Sequence, residues 1–197
     1  MSPFLSNLIY FVADILLGYI PQAAGCAICL YAINSLPIGT GKFWATTGIF
    51  SAIAVVIRTA YNIHLIDFGF HTVIIWSIFI LVAIGYNKMP AIKSILSILV
   101  SGILITLTEL ITAGVLILIY GDENFSAMMD NTETMAGKTV KAFCGVPANI
   151  LFVVVVLIFY LTKRAWKKRK AEKDDSSDAD GSESPVLGET SEATRES

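Results

Sequence analysis

Charge is scarce in this chain, and it is concentrated near one end. Of the 197 residues, 15% are charged and 55% are hydrophobic, and the mean hydropathy is +0.69. These values exclude an ordinary soluble domain and are typical of a membrane protein. The residues before position 163 hold thirteen of the charged side chains. Residues 163–170 are basic and the residues after them are acidic and rich in serine. This is a membrane-boundary pattern and not a nucleic-acid surface, so no nucleic acid is expected as a partner.

Cysteine and histidine are also scarce, which limits the chemistry that the chain can carry. Cys26 and Cys29 lie in an apolar segment and Cys144 stands alone, so no disulfide framework is expected. The two histidines, His64 and His71, lack a convincing third partner for a metal. No nucleophile stands beside a base at a suitable spacing. The sequence therefore predicts no enzymatic activity, no cofactor and no metal site.

Long apolar runs fill most of the chain and predict an all-α, polytopic transmembrane helix bundle. About 20 apolar residues cross the hydrocarbon core of a bilayer. Five spans are predicted, at about residues 8–33, 43–60, 71–86, 92–120 and 146–162. Pro21 interrupts the first run and predicts either a kink in one span or two shorter pieces. If residues 4–20 cross the membrane separately, the chain has six spans.

The chain divides by composition into a membrane domain and a tail. Residues 1–170 form the predicted helix-bundle domain, and the acidic residues 171–197 are predicted to be disordered because they lack apolar periodicity. Between the fourth and fifth spans, apolar residues recur at helical spacing. This pattern predicts an amphipathic outer segment at residues 123–143, lying on the membrane surface.

A basic stripe after the last span sets the predicted orientation. Its members are Lys163, Arg164, Lys167, Lys168, Arg169 and Lys170. Because positive charge favours the cytoplasmic side, we expect a multi-pass protein of the cell membrane with its C-terminus in the cytoplasm. The stripe is also expected to contact anionic lipid headgroups, at about 1 kcal/mol per basic residue.

Three charged side chains fall inside the predicted spans. Glu109 lies roughly 25 Å along the fourth span, and Arg58 lies roughly 22 Å along the parallel second span, at 1.5 Å per residue. Asp14, on the antiparallel first span, reaches a similar level. Because an unpaired charge in the bilayer is costly, the sequence predicts an ion-paired cluster of these three residues. Three roles are open for the cluster: it locks the helices in register, it senses or binds a polar ligand that enters from outside, or it belongs to a proton or ion pathway.

Five short motifs carry a resemblance to a known family. They are Ile20-Pro21-Gln22-Ala23-Ala24-Gly25, Ile57-Arg58, Ile66-Asp67-Phe68-Gly69-Phe70-His71-Thr72, Ala91-Ile92-Lys93-Ser94-Ile95 and Thr108-Glu109-Leu110. Together they resemble the membrane-embedded N-terminal sensor domain of Firmicute histidine kinases, in the accessory-gene-regulator and sporulation-phosphotransferase-like group. The resemblance covers roughly residues 8–115.

The resemblance implies a sensory or structural core that contains Arg58, His71 and Glu109. It also draws attention to an outer-boundary motif, whose members are Asp67, Gly69, His71 and Thr72. The chain departs from the family in two ways. Gln22 stands where an acidic residue is expected, and the residues after 170 contain neither a phosphoacceptor histidine nor a glycine-rich ATP-binding box.

The expected function is that of a non-enzymatic sensory or regulatory membrane module. Such a module would detect a small peptide or apolar ligand and pass the change to a separate signalling partner, for example a histidine kinase. A small transport component, such as the substrate-binding subunit of a transporter, is the alternative. A sensor needs only two conformations, whereas a transporter needs a solvated path.

Overall fold

The structure is a computed structural model that describes residues 11–12, 14–62, 70–130 and 135–180. Throughout these ranges the chain is helical, with short turns and no strand. The prediction of an all-α protein is therefore confirmed for the described residues. The chain divides into two compact units, Met1–Thr162 and Lys163–Ser197, and the boundary falls where the basic stripe begins.

In the part of the chain that the structure describes, six α-helices follow a short π-helical turn at Ile15–Tyr19. They are α1 (Ile20–Ile33), α2 (Gly41–Asn62), α3 (Phe70–Gly85), α4 (Ala91–Tyr120), α5 (Asp122–Asp130) and α6 (Met135–Asp180).

Four helical stretches among the described residues are long and apolar enough to cross a membrane. They are Ile15–Ile33, Gly41–Tyr61, Ala91–Tyr120 and Ala142–Lys170. The chain therefore has the helices of a membrane protein, as the composition predicts. Helix α3 is apolar but has 16 residues, which cover about 24 Å at 1.5 Å per residue.

From Asp14 to Ile33, the described part of the first span is one continuous helix. Asp14, Tyr19 and Ile20 all have right-handed helical backbone angles, so the chain does not break at Pro21. The π-helical turn lies just before this proline, and the Ile20 N–H donates to the Ile15 carbonyl. A widened turn of this kind is a common way for a helix to absorb a local disruption of its hydrogen bonds.

Helix α1 is the central helix of the bundle. Its residues from Ala23 to Ala32 are buried with the single exception of Ala24, which is partly buried. A helix that is buried all round must have neighbours on every side. Small side chains permit this, because Ala, Gly and Cys let adjacent backbones approach closely. Helices α2 and α4 pack on α1, and Phe152 of α6 lies directly against Gly25.

Helix α4 faces this core with a row of small polar side chains. Ser94, Ser97 and Ser101 are buried, and each hydroxyl donates to a backbone carbonyl four residues earlier, at 2.6–3.1 Å. These bonds satisfy the hydroxyls within the helix, so that they can enter an apolar contact without an unpaired donor. The Cys29 thiol donates across the contact to the Ser97 carbonyl, at 3.6 Å.

A buried polar network joins the helices at the end of the bundle that contains residues 34–40 and 86–90. The Tyr31 hydroxyl donates to Asn87 Oδ1 at 3.0 Å, and Thr46 Oγ1 lies 3.0 Å from the same oxygen. At this end too, the Ile38 N–H donates to the Tyr160 hydroxyl of α6 at 3.2 Å. The contacts fix the ends of α1, α2, α3 and α6 to one another.

The segment between the fourth and fifth spans is helical where the structure describes it. Helix α5 and the first part of α6 cover most of residues 123–143, where the sequence predicts an amphipathic outer segment, and residues 131–134 lie outside the described ranges. Pro147 therefore lies inside α6 instead of near its start. Helix α6 also continues to Asp180, ten residues into the predicted disordered tail. Residues 181–197 of that tail lie outside the described residues.

The closeness of Gly25 to Phe152 generates a test of the core. A β-carbon at Gly25 would lie 2.2 Å from the Phe152 ring, and Phe152 is 1% exposed. We therefore expect Gly25→Ala to reduce the free energy of unfolding by about 1–3 kcal/mol through overpacking. Gly48→Ala is the matched control, because nothing lies within 4 Å of its β-carbon position. Thermal unfolding in detergent measures both, and an equally stable Gly25→Ala protein would contradict this packing.

Candidate functional site

A cavity of about 310 Å³ lies between α1, α2, α3 and α4. Its polar lining residues are Tyr19, Gln22, Arg58, Thr72, Thr106 and Glu109. The remaining lining is apolar or small and includes Ala23, Ala54, Ile75, Trp76, Phe79 and Gly102. A cavity with a few convergent polar groups and an apolar remainder has the usual make-up of a small-molecule site, and its volume is at the lower end for such sites.

Arg58 is the positive charge of the cavity, and two side chains hold it in place. Its Nη2 donates to Gln22 Oε1 at 2.9 Å. Its guanidinium carbon lies 4.5 Å from the centre of the Tyr19 ring, which is a cation–π geometry. Both partners come from the first span, so Arg58 is tied to the central helix. The sequence prediction did not include Tyr19, and it regarded Gln22 only as a departure from the family.

Asp14 joins this arrangement through Tyr19. The Tyr19 hydroxyl donates a hydrogen bond to the Asp14 carboxylate. The ring of the same tyrosine contacts the Arg58 guanidinium. Asp14 directly precedes the π-helical turn and Tyr19 ends it. The two residues lie on the same side of the helix, because about one wide turn separates them. Negative and positive charge are therefore connected through an aromatic residue.

Glu109 supplies negative charge to the cavity from α4. It lines the same cavity as Arg58. Among the described residues, no ion pair within 4.0 Å joins the two side chains. Two of the three predicted cluster members, Arg58 and Glu109, thus line one cavity, while Asp14 contacts Tyr19 of the cavity wall. Arg58 contacts Gln22 and Tyr19 where the sequence predicts an ion-paired cluster.

The apolar side of the cavity is formed by aromatic side chains of α3. Phe79 stacks on Phe50 with 3.8 Å between ring centres and is 2% exposed. Trp76 lies over Gly102 of α4, where a β-carbon would be 2.4 Å from its Cη2 atom. Gly102 is therefore needed for the ring of Trp76 to adopt its position beside the cavity. A larger residue there would push the indole away from α4.

A hydrogen bond from α6 holds the helix that carries Tyr19. The Asn149 side-chain amide donates to the Leu17 carbonyl at 2.9 Å. In an α-helical pattern the residue at position 21 would donate to this same carbonyl, but Pro21 has no N–H. Asn149 therefore supplies the hydrogen bond that Pro21 cannot, as polar side chains do for interrupted helices in membranes. The last helix is joined in this way to the π-helical turn beside the cavity.

The outer-boundary motif is only partly within the described residues. Asp67 and Gly69 lie outside them. His71 stacks on Tyr61 of α2, with 4.5 Å between ring centres, and Thr72 lines the cavity. Of this motif, Thr72 thus shares the site with Arg58 and Glu109, and His71 packs at the α2–α3 contact.

The basic stripe lies on α6 within the second unit. Arg164, Lys167, Lys168, Arg169 and Lys170 are exposed and Lys163 is partly buried. Exposed basic side chains at this position are compatible with contact to lipid headgroups, the role that the sequence predicts for the stripe.

The described residues contain no group of three or more His, Cys, Asp or Glu side chains that could hold a metal ion. Cys26 and Cys29 are buried in the core, where Cys26 lines the cavity and Cys29 donates to Ser97. Both thiols pack as small side chains of α1.

Asn149 and the Tyr31–Thr46–Asn87 network were not predicted from the sequence. An asparagine inside an apolar span is itself a signal, since a polar amide at that depth requires a partner. The partner of Asn149 could not be identified from the sequence, because every residue has a backbone carbonyl. Pro21 is the sequence feature that indicates an unpaired carbonyl four residues earlier, at Leu17.

Comparison of the chain with protein-family models, with characterised proteins and with solved structures gave no significant match. Functional reasoning for this protein therefore depends on the cavity and its surrounding helices.

The Asn149–Leu17 bond predicts a specific coupling between two positions. We expect Asn149→Leu to cost about 1–2 kcal/mol of stability, because it leaves the Leu17 carbonyl unpaired within the bundle. In a Pro21→Ala background the same change should cost less, since the new N–H can donate to Leu17. Thermal or denaturant unfolding of the four proteins measures the coupling.

Asn124→Leu serves as the control for that cycle. The Asn124 side chain is exposed and donates to the carbonyl of Tyr120, the last residue of α4. The loss of this hydrogen bond should therefore change stability little. Equal costs of Asn149→Leu in both backgrounds would show that Asn149 does not replace the proline N–H.

Proposed function

We propose that the protein is a sensory or regulatory membrane module that binds a small ligand and acts on a separate signalling partner. The observation that carries this proposal is the connection between the cavity and α6. Tyr19 lines the cavity and holds Arg58, the π-helical turn ends at Tyr19, and Asn149 of α6 bonds to Leu17 within that turn. A change at the cavity can therefore alter the hydrogen bonding of the helix that leads out of the membrane.

The proposal includes a specific topology. Five spans, with α3 as the short third one, place the 34–40 and 86–90 connections on one side of the membrane. Tyr160 lies at that same end through its bond from Ile38, three residues before the basic stripe begins. By the positive-inside rule this end is cytoplasmic, and the cavity then lies in the outer half of the bundle. The resemblance to kinase sensor domains supports the same arrangement.

A small transport component is the second candidate, and one observation favours it. Transporters often bind their substrate where a spanning helix departs from regular α-helical geometry near charged groups. The π-helical turn beside Arg58 and Glu109 has this character. The sensor is preferred because Gln22 and Tyr19 of the first span hold Arg58 in the cavity wall. This arrangement does not require a solvated path through the bundle.

Hydrogen exchange of α6 tests the sensory function. We expect Arg58→Gln to change the backbone exchange rate of residues 163–170 by several-fold in lipid nanodiscs. The substitution removes the cation–π contact with Tyr19 and so shifts the equilibrium between two arrangements of the π-helical turn. Asn149→Leu should produce a change in the same segment, because it removes the bond to Leu17.

Lys42→Gln is the matched control, since Lys42 is an exposed residue at the opposite end of the same helix, α2. Unchanged exchange in both test variants, with the fold retained, would contradict a sensory connection to α6. Solute flux in proteoliposomes separates the two candidates: ligand-dependent accumulation would favour transport, and exchange changes without flux would favour sensing.

A further inference from the structure

We infer that the cavity binds a free α-amino acid with an apolar side chain, taking its carboxylate at Arg58 and its ammonium group at Glu109. This inference rests on the proposed function and specifies the class of ligand. Its grounds are that the two charges line the cavity without pairing, that Arg58 has N–H donors left, and that the cavity is small and largely apolar.

The first argument is that two opposite charges line one cavity without pairing. Arg58 and Glu109 both face the cavity, and no contact within 4.0 Å joins them among the described residues. Arg58 is held in place by Gln22 and by the Tyr19 ring, at 2.9 Å and 4.5 Å. The site thus keeps a positive and a negative group apart. A zwitterion placed between them satisfies both, whereas a simple anion or cation would leave one charge uncompensated.

The second argument concerns the hydrogen bonds that remain available. A guanidinium group carries five N–H donors in a planar fork that matches a carboxylate. The bond to Gln22 uses one of these N–H groups, so a carboxylate can still be bound by others. Glu109 is exposed rather than buried in α4, so its carboxylate is accessible to a ligand. Thr72 and Thr106 add hydroxyl groups to the same lining.

The third argument is that the rest of the wall is apolar and limited in size. Ala54, Ile75, Trp76 and Phe79 form a surface suited to an aliphatic or aromatic side chain. The volume of about 310 Å³ is at the bottom of the range for drug-sized ligands. A free amino acid suits this space better than a longer peptide. The absence of a β-carbon at Gly102 leaves room for the Trp76 ring, so Gly102 sets how much space the apolar part of the cavity has.

Equilibrium dialysis of the purified full chain with radiolabelled leucine, isoleucine, valine, methionine and phenylalanine tests the inference. We expect at least one of them to bind saturably with Kd below about 1 mM. For leucine, isoamylamine lacks the carboxylate and isocaproate lacks the ammonium group. Each should compete at least about tenfold more weakly than the amino acid, because each loses one charge-assisted interaction.

Substitutions identify the groups that bind each end. Glu109→Gln should weaken the amino acid at least about tenfold. The same change should not weaken isocaproate and should strengthen its binding, since isocaproate has no ammonium group to pair with the Glu109 carboxylate and is repelled by it. Glu123→Gln is the matched control, because Glu123 is exposed and lies outside the cavity. Gly102→Ala should also weaken binding, because a β-carbon there would clash with Trp76. This second variant keeps both charges, so it tests the cavity even if Glu109→Gln does not fold.

The outcomes separate this inference from the proposed function. No saturable binding by any of the five amino acids, or isocaproate binding as tightly as leucine, would overturn the zwitterion site. If in that case Arg58→Gln still changed hydrogen exchange in α6, the sensory function would stand with a different ligand. Amino-acid binding that depends on Glu109 but leaves α6 unchanged would support the site and contradict the sensory role.

Discussion

The burial of α1 from Ala23 to Ala32 is the constraint on which the rest of the bundle depends. Its run of small residues lets α2, α4 and α6 approach on different sides, and Gly25 admits the Phe152 ring at a distance that no β-carbon would allow. Between transmembrane helices, close packing is a main source of stability because lipid tails are as apolar as the side chains they replace. The positions of the cavity residues on the surrounding helices follow from this central contact.

Several buried polar groups among the described residues are satisfied by neighbouring helices or by their own backbone. The serines of α4 bond to their own carbonyls, and Asn149 replaces the donor that Pro21 lacks. In a membrane there is no water to serve these groups, so each unpaired one costs several kcal/mol. The cavity around Arg58 and Glu109 differs, because two opposite charges face it without pairing. This difference distinguishes it from the structural polar contacts and makes it the candidate functional site.

Sequence reasoning located the charged residues but not their contacts. Counting 1.5 Å per residue placed Arg58 and Glu109 at one level, and the structure has them in one cavity. Depth along a helix follows from residue number, whereas the direction of a side chain around the helix depends on which face packs inward. Tyr19 could not be identified as the partner of Arg58 for a further reason. The π-helical turn changes the angular positions of the residues before it, and no sequence pattern indicated such a turn.

The sequence by itself determined that the chain is helical and suited to a membrane, because long apolar runs allow only structures that satisfy their backbone internally. It also determined which charges lie deep within those runs. Only the tertiary structure decided that Pro147 lies inside α6, that Asn149 reaches the Leu17 carbonyl, and that Arg58 contacts Gln22 and Tyr19. These features arise from contacts between residues far apart in the chain, where local hydropathy carries no information about which groups meet.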